Sequence, residues 1–296
     1  MGMELLRKGK VKDVYDDGKD LVFKFSDRIS VFDKIIPDSI PHKGESLCRT
    51  STYWYNIVSS LGIDTDFIEL VSDSEMKVKK FRQIDRGYKF LSNYMVPLEF
   101  ITRYYLAGSA YDRVKSGEID YHSLGFKNPP VYGEKLPDPF FEVSTKFEKF
   151  DRYLHTDEAL EISGLDAGEL CEIQETIFKI DRRINSSVDS RGLIHADGKK
   201  EFALGLERKP VIIDTFGTLD EDRFWDKKDY ENGQVNELSK EMVRQYYRKT
   251  GYHQKLYDAR DNNQPEPDIE PLPENIVKTV SDLYIHMYEK ITGLKW

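Results

Sequence analysis

Between Leu170 and Val188 an apolar residue recurs every three or four positions, at Leu170, Ile173, Ile177, Ile180, Ile184 and Val188, and Gly192 stops the run. That spacing is the helical period with one apolar face, and such a face must be buried. Directly after it "GLIHADGKKEFALG" reads as strand, turn, strand, and "PVIIDTFG" reads as a further buried strand ending at an acid. A long amphipathic helix followed by buried strands predicts a mixed α/β region. Helical spacing returns at Val235, Leu238, Met242 and Tyr246, closing at Gly251. A Pro-rich acidic loop then leads to a last amphipathic helix carrying Ile276, Val280, Leu283, Met287 and Ile291.

The first 95 residues have a different texture. Val11, Val14 and Tyr15 precede "DDGKD", and Leu21, Phe23 and Phe25 follow it in alternation, which predicts a β-hairpin. Further strand-like runs follow, interrupted by "KGESLCRTSTYWYNIVSSLG", whose Leu47, Trp54, Ile57, Val58 and Leu61 approximate one helical face. Residues 124–143 carry four prolines and two glycines and are expected to form an irregular covering loop. No internal repeat is present. The expected organisation is a small β-rich domain over 1–95 and a larger mixed α/β domain over 96–296, an α+β chain in class.

Composition narrows the function. A formal net charge of -9 over 296 residues argues against general nucleic-acid binding, which needs a field of Lys and Arg. No apolar stretch approaches the roughly 20 residues that span a bilayer, so no membrane partner is expected. Cys48 and Cys171 lie outside any zinc-ligand spacing and read as reduced thiols, which places the chain in the cytoplasm as an expectation.

Three short segments carry chemistry. In "DGKKEF" (197–202) Asp197, Lys199 and Glu201 alternate, so a strand presents all three on one face. With Asp214 at the end of "PVIID", two carboxylates on adjacent strands suit magnesium, a hard cation that shares its oxygens with phosphates; a surface ladder of ion pairs reads the same residues equally well. "EFITRYYLAGS" sets Arg103 near Ser109, either a phosphate clamp or a helix cap beside a surface Arg. "RKGKVK" sets Gly9 between cations, either a phosphate-binding loop with Lys10 and Lys12 or a solvated sheet edge.

Taken together and in order, "GKVKDVY", "SDRISVFD", "VPLEFITRYYLAGS", "STKFEKFD", "DGKKEFALG" and "DTFGTLDEDRFWD" resemble the phosphoribosylaminoimidazole-succinocarboxamide synthase (SAICAR synthetase) family over about residues 7 to 230. The resemblance implies a two-lobed fold related to kinases with a nucleotide cleft between the lobes. It implies a purine-biosynthetic ligase joining L-aspartate to carboxyaminoimidazole ribonucleotide (CAIR), with ATP converted to ADP and phosphate through an acyl phosphate. It also implies ATP and Mg2+ as cofactors and a homodimer as the assembly.

Carried onto this chain, the resemblance gives Lys199 and Asp197 catalytic roles and makes Glu201 and Asp214 the metal ligands. Gly9, Lys10 and Lys12 would meet the ATP phosphates, with Met95, Leu98 and Glu99 near adenine and ribose. Arg103, Ser109 and Arg223 would hold the CAIR phosphate, and Ser26, Asp27, Arg28 and Asp33 belong to a substrate loop. Lys146, Glu148 and Asp151 are weaker candidates, since "STKFEKFD" also reads as a helix start. The competing readings are a kinase-like phosphotransferase acting on an inositol phosphate or a protein, and a non-enzymatic nucleotide-binding module. Against the first, the chain has no "HRD" loop and no full Gly-rich kinase loop.

Overall fold

The computed structural model describes residues 2–32, 34–148, 152–238 and 241–296. The chain begins with β1 (Glu4–Lys8), β2 (Lys12–Asp16), β3 (Leu21–Phe25), β4 (Arg28–Val31) and β5 (Lys34–Ser39), followed by α1 (Lys43–Ser60). Then come β6 (Phe67–Ser72), β7 (Glu75–Val78), β8 (Tyr94–Met95), β9 (Leu98–Tyr105), α2 (Gly108–Ser116) and β10 (Lys135–Thr145). The helices α3 (Thr156–Ser163) and α4 (Ala167–Asp189) precede β11 (Leu193–Leu204), β12 (Pro210–Ile213) and β13 (Asp222–Asp226). Four helices close the chain: α5 (Lys227–Glu231), α6 (Glu241–Lys249), α7 (Tyr252–Asp261) and α8 (Glu274–Thr292). The class is α+β.

These elements form two compact units, and neither is contiguous in sequence. The first combines Met1–Tyr53, Phe67–Lys79 and Glu237–Trp296. Its antiparallel sheet has the order β1-β2-β3-β7-β6, and β2 pairs β3 with Asp16 opposite Leu21, so the alternating hairpin forms as its sequence predicts. The last helix packs inside this unit: Val280, Tyr284, Met287 and Ile291 are buried, Ser46 Oγ donates to the Tyr284 carbonyl at 2.8 Å, and Ser281 Oγ donates to the Pro41 carbonyl at 2.7 Å. A cut at residue 95 is thus a sequence boundary, whereas the compact unit draws its helices from the far end of the chain. The helix expected from Val235 onward is α6, which starts at Glu241; Val235 and Leu238 precede it outside any helix.

The second unit combines Trp54–Asp66 and Lys80–Asn236. Its core is the sheet β10-β9-β11-β12, to which β8 and β13 also pair through β11. The helix α4 starts at a capping box, Asp166 accepting from the Glu169 amide and Glu169 from the Asp166 amide, and buries Leu170, Ile173, Ile177, Ile180, Ile184 and Val188. Each such side chain contributes about 1.5–3 kcal/mol by leaving water, which fixes α4 as a component of this core.

Two expectations are corrected here. Residues 135–145 are the strand β10 rather than irregular loop: β10 is the outer strand of its sheet, and the register slips between Lys135 and Phe140, so Pro137 and Pro139 fall where an absent N–H is tolerated. "GLIHADGKKEFALG" is one continuous strand, β11, with no turn at "DG". A Cβ at Gly198 would meet Asp222 Oδ2 at 2.3 Å and His195 Nε2 at 2.9 Å, so that glycine answers a close approach within a strand.

Candidate active site

Within the second unit β11 is the central strand, and its alternation puts Asp197, Lys199 and Glu201 on one face. Around Asp197 the register brings Arg103 of β9 and Arg223 of β13 alongside. Arg103 is 4% exposed and all three of its guanidinium nitrogens donate: Nε to Glu142 Oε2 at 2.8 Å, Nη1 to Asp197 Oδ2 at 3.3 Å, and Nη2 to Ser109 Oγ at 3.2 Å and Tyr153 Oη at 3.1 Å. Arg223 Nη1 donates to the same Asp197 oxygen. Burial lowers the pKa of Arg103, but Asp197 and Glu142 more than offset it, and the group is held above its ordinary value as a permanent cation.

The start of α2 adjoins this cluster. Its N-cap is Ala107, which has no side chain to bond the first-turn amides, and Gly108 sits at φ +53° where a Cβ would meet Arg223 Nη2 at 2.7 Å. An uncapped helix N-terminus beside two guanidiniums and the exposed Ser109 hydroxyl is chemically an anion site. The three sequence-derived phosphate residues, Arg103, Ser109 and Arg223, are therefore brought together.

Two and four residues further along β11 the chemistry changes. Lys199 Nζ lies 2.8 Å from Glu99, 3.2 Å from Glu221 and 3.5 Å from Glu201, and Lys146 pairs with the other Glu201 oxygen. Burial alone would push the Lys199 pKa down; Glu221, Glu99 and Asp214 outweigh that and raise it, so it remains an ammonium across the neutral range. Glu201 is opposite Ile213 of β12, and Asp214 follows directly. Glu201 lies inside β11, whereas Asp214 directly follows the end of β12.

Asp214 is held at φ +65°, uncommon for a residue other than glycine. Tyr55 Oη donates to its carbonyl, Asp66 Oδ2 lies 3.4 Å from its amide, and Thr215 Oγ1 is 3.3 Å from its carboxylate. The Tyr55 phenol is raised well above its usual pKa by burial first and then by Asp66 and Asp214, so it stays a hydrogen-bond donor.

Does this set suit magnesium? Glu99, Glu201, Glu221 and Asp214 outnumber Lys146 and Lys199, leaving an excess of hard anionic oxygens. Among the described residues no group of three or more His, Cys, Asp and Glu is close enough to cage a metal unaided. Magnesium takes one or two protein carboxylates and completes its shell with phosphates and water, so its fit here rests on the carboxylates present, Glu201 and Asp214. Lys146 and Lys199 are the counter-cations of Glu201.

The remaining sequence candidates are placed as follows. Met95 is half-buried, its amide donates to Arg82 at 2.9 Å, and it packs against Ala203, Val211 and Ile213. Leu98 is fully buried at the start of β9. In the first unit, the Gly9 amide donates to the Lys12 carbonyl at 3.0 Å, a turn so tight that a Cβ would meet that oxygen at 2.5 Å. Lys10 is exposed, and Lys12 Nζ lies 4.7 Å from the Phe23 ring centroid. Ser26 Oγ donates to Val11 at 2.8 Å and Arg28 donates to the Gly9 carbonyl at 2.8 Å, while Asp27 accepts from the Gly44 amide at 2.9 Å. Asp33 and Asp151 lie outside the described residues, and Glu148 pairs with Arg152 on the surface.

Comparison with known proteins bears on the same residues. The family model for SAICAR synthetase matches residues 5–259. The chain belongs to the SAICAR synthetase family. A phosphoribosylaminoimidazole-succinocarboxamide synthase of Thermoplasma volcanium is 61% identical over 99% of this chain and 100% of its own length. The protein of the same name from Thermoplasma acidophilum is 60% identical over 99% of this chain and 100% of its length. Among solved structures, SAICAR synthase from Saccharomyces cerevisiae complexed with SAICAR superposes with a TM-score of 0.75 at 26% identity, covering 99% of this chain and 96% of that one.

Within this member of the family, the sequence alone did not point to Glu142, Tyr153, Arg113 or Glu221. Tyr153 bridges Arg103 and Ser109, its Oη lying 2.7 Å from Ser109 Oγ, and its ring carries the Arg113 guanidinium at 3.9 Å. Nothing local marks a lone tyrosine as such a bridge. Glu221 had a signal, the acidic run "DED" directly before Arg223. Both cysteines are free, as read. Among the described residues no helix is long and apolar enough to cross a membrane.

Proposed function

We propose that this chain is the purine-biosynthetic ligase that joins L-aspartate to CAIR, forming SAICAR with conversion of ATP to ADP and phosphate. The observation that carries the reading is the placement, on one face of β11, of an anion site around Asp197 and a lysine–carboxylate cluster around Lys199 and Glu201. Four residues of strand separate Asp197 from Glu201, about 13 Å at 3.3 Å each, so one substrate can leave its 5′-phosphate at the first cluster and present its reacting carboxylate near the second.

A carboxylate is inert to an amine because oxide is a poor leaving group. Phosphorylation removes that obstacle. A CAIR carboxylate oxygen attacks the γ-phosphorus and ADP departs; the aspartate nitrogen then attacks the carbonyl carbon and phosphate leaves with that oxygen. The protein's part is positioning and charge stabilisation. Arg103, Ser109 and Arg223 hold the 5′-phosphate, and Asp197 orients both guanidiniums. Lys199, held charged by its glutamates, faces the charge that builds on the transferring group. Glu201 and Asp214 would hold magnesium, which when bound supplies Lewis-acid stabilisation of phosphate oxygens. Met95, half-buried on the core residues Ala203, Val211 and Ile213, offers adenine an apolar contact, with Leu98 close by in sequence and Glu99 within reach of a ribose or substrate hydroxyl. Gly9, Lys10 and Lys12 serve the ATP phosphates, the segment Ser26–Arg28 holds that turn in shape, and Asp33 is assigned to substrate by the family resemblance alone. The assembly is a homodimer in the cytoplasm; sedimentation as a monomer at micromolar concentration removes the dimer.

The test is coupling. ADP forms in proportion to amide product and requires CAIR, aspartate, ATP and magnesium together. A stable phosphorylated alcohol or protein side chain, formed without aspartate, would instead assign the chain to the phosphotransferases.

A further inference from the structure

Behind the site face of β11 lies a cluster of fully buried charges that the reaction does not use. Lys200, between Lys199 and Glu201 in sequence, points to the opposite face and is completely buried. Its Nζ is 2.6 Å from Asp181 Oδ1 on α4 and 3.8 Å from Asp222 Oδ2 at the start of β13. Asp222 also accepts from His195 Nε2 at 2.7 Å and from the Gly217 amide at 2.9 Å. Tyr104 Oη donates to Asp181 at 3.0 Å.

Buried charges of this kind are costly to assemble and sensitive to the loss of any member. Their position is informative. Asp222 is bonded to the middle of the loop 214–221 through the Gly217 amide, and its own amide donates to the Thr218 carbonyl at 2.8 Å. That loop carries Asp214 and Glu221 to the other face, where Glu221 meets Lys199 at 3.2 Å, and the Lys199 amide donates to the Glu221 carbonyl at 3.2 Å. The Gly217 carbonyl is fixed from outside by Trp54 Nε1 at 3.0 Å. Gly198 and Gly217 leave no room for the loop to shift inward: a Cβ at either would approach Asp222 Oδ2 or the Trp54 ring to 2.3 or 2.4 Å.

We propose that Lys200 is a positioning residue: as the buried counter-ion of Asp181 and Asp222 it locks the 214–221 loop to β11 and so sets the spacing of Asp214 and Glu221 from Glu201. Lys200 reaches the reacting groups only through Asp222 and the loop. The inference rests on the proposed assignment of Glu201 and Asp214 to a divalent cation, so its test includes binding as well as turnover.

The experiment compares the parent with Lys200→Met/Asp181→Asn, which removes one charge of each sign, and with Asp222→Asn, which keeps the shape of the carboxylate. Mn2+ affinity in the presence of ADP is read by water-proton relaxation, beside kcat and the KM for CAIR. Ile180→Ala, on the same helix but apolar, controls for general destabilisation. Groups that orient metal ligands typically change affinity by about 10–100-fold when lost, and a drop of that size in Mn2+ affinity is expected for Lys200→Met/Asp181→Asn and for Asp222→Asn. The expected kinetic signature is a lower kcat with a nearly unchanged KM for CAIR. Ile180→Ala lowers thermal stability without moving Mn2+ affinity. Parent-like Mn2+ affinity in both network variants overturns the proposal, as does an equal loss in Ile180→Ala. Failure of both network variants to fold assigns the cluster to folding alone and also overturns it. If the parent binds Mn2+ with ADP yet makes no amide, the ligase reading fails while the positioning role stands on the binding data.

Discussion

Replacing Arg103 by Gln removes the cation around which Glu142, Asp197, Ser109 and Tyr153 are arranged. The side chains of Arg103, Glu142 and Asp197 are only 5%, 5% and 8% exposed, so solvent screens little of the interaction. Breaking a buried ion pair by removing one partner costs about 3–5 kcal/mol. Here each carboxylate keeps a second guanidinium, Arg113 on Glu142 and Arg223 on Asp197, which puts the loss at the lower end, about 3 kcal/mol. At roughly 2–4 °C per kcal/mol, the Tm falls by about 6–12 °C. Urea unfolding of Arg103→Gln, Glu142→Gln and the double variant measures it. Removing Glu142 as well takes away a carboxylate left short of charge, so the double variant is more stable than the sum of the singles by about 1–2 kcal/mol. Strict additivity, or an Arg103→Gln protein as stable as the parent, would refute the idea that this buried network holds the anion site in shape.

Three further outcomes are expected. Arg103→Lys keeps the charge but loses the fork, so CAIR binding weakens by about 1–3 kcal/mol; a rise in the KM for ATP with that for CAIR unchanged would exchange the two phosphate sites. Glu201→Gln costs several kcal/mol of transition-state stabilisation, and a variant with normal turnover and normal magnesium dependence would remove Glu201 from the metal site. Burial pushes the Cys48 thiol up to about 12, while Cys171 is exposed, so a disulfide reagent at pH 8 titrates one thiol in the native protein and two in denaturant. The unfolded chain gives up the Cys48 proton first, so this residue's contribution to stability is complete below the ordinary thiol pKa and falls by at most about 1.4 kcal/mol per pH unit as pH climbs toward the folded value.

Periodicity carried much of the fold. The apolar faces of α4 and α8 are visible in sequence because each lies against a single core and needs one clean stripe, and the β2–β3 hairpin is visible from its strand-like runs on either side of an Asp- and Gly-rich turn. What misled were residues whose meaning depends on distant partners. Pro137 and Pro139 signal a loop unless their strand is outermost, and "DG" signals a turn unless the glycine answers a neighbour such as Asp222. Near Ser109 the sequence left a helix cap and a phosphate clamp both open; α2 does start there, with Ala107 as an N-cap that makes no side-chain bond to the first-turn amides. Arg103, Ser109 and Arg223 were legible as candidates from residue type and family resemblance. Their joint dependence on Asp197, Glu142 and Tyr153 was not, since those contacts span up to 94 positions of sequence. Lys200 gave no signal at all, for one more lysine in "GKKEF" reads as solvated until α4 is laid across it.

The activation of the CAIR carboxylate by phosphoryl transfer is tested most directly by isotope. CAIR labelled with 18O in its carboxylate is turned over with ATP, magnesium and aspartate, and the phosphate released is analysed by mass. Transfer through an acyl phosphate predicts one carboxylate 18O in each phosphate, with amide and ADP formed in equal amounts. Unlabelled phosphate accompanying labelled amide product would contradict it.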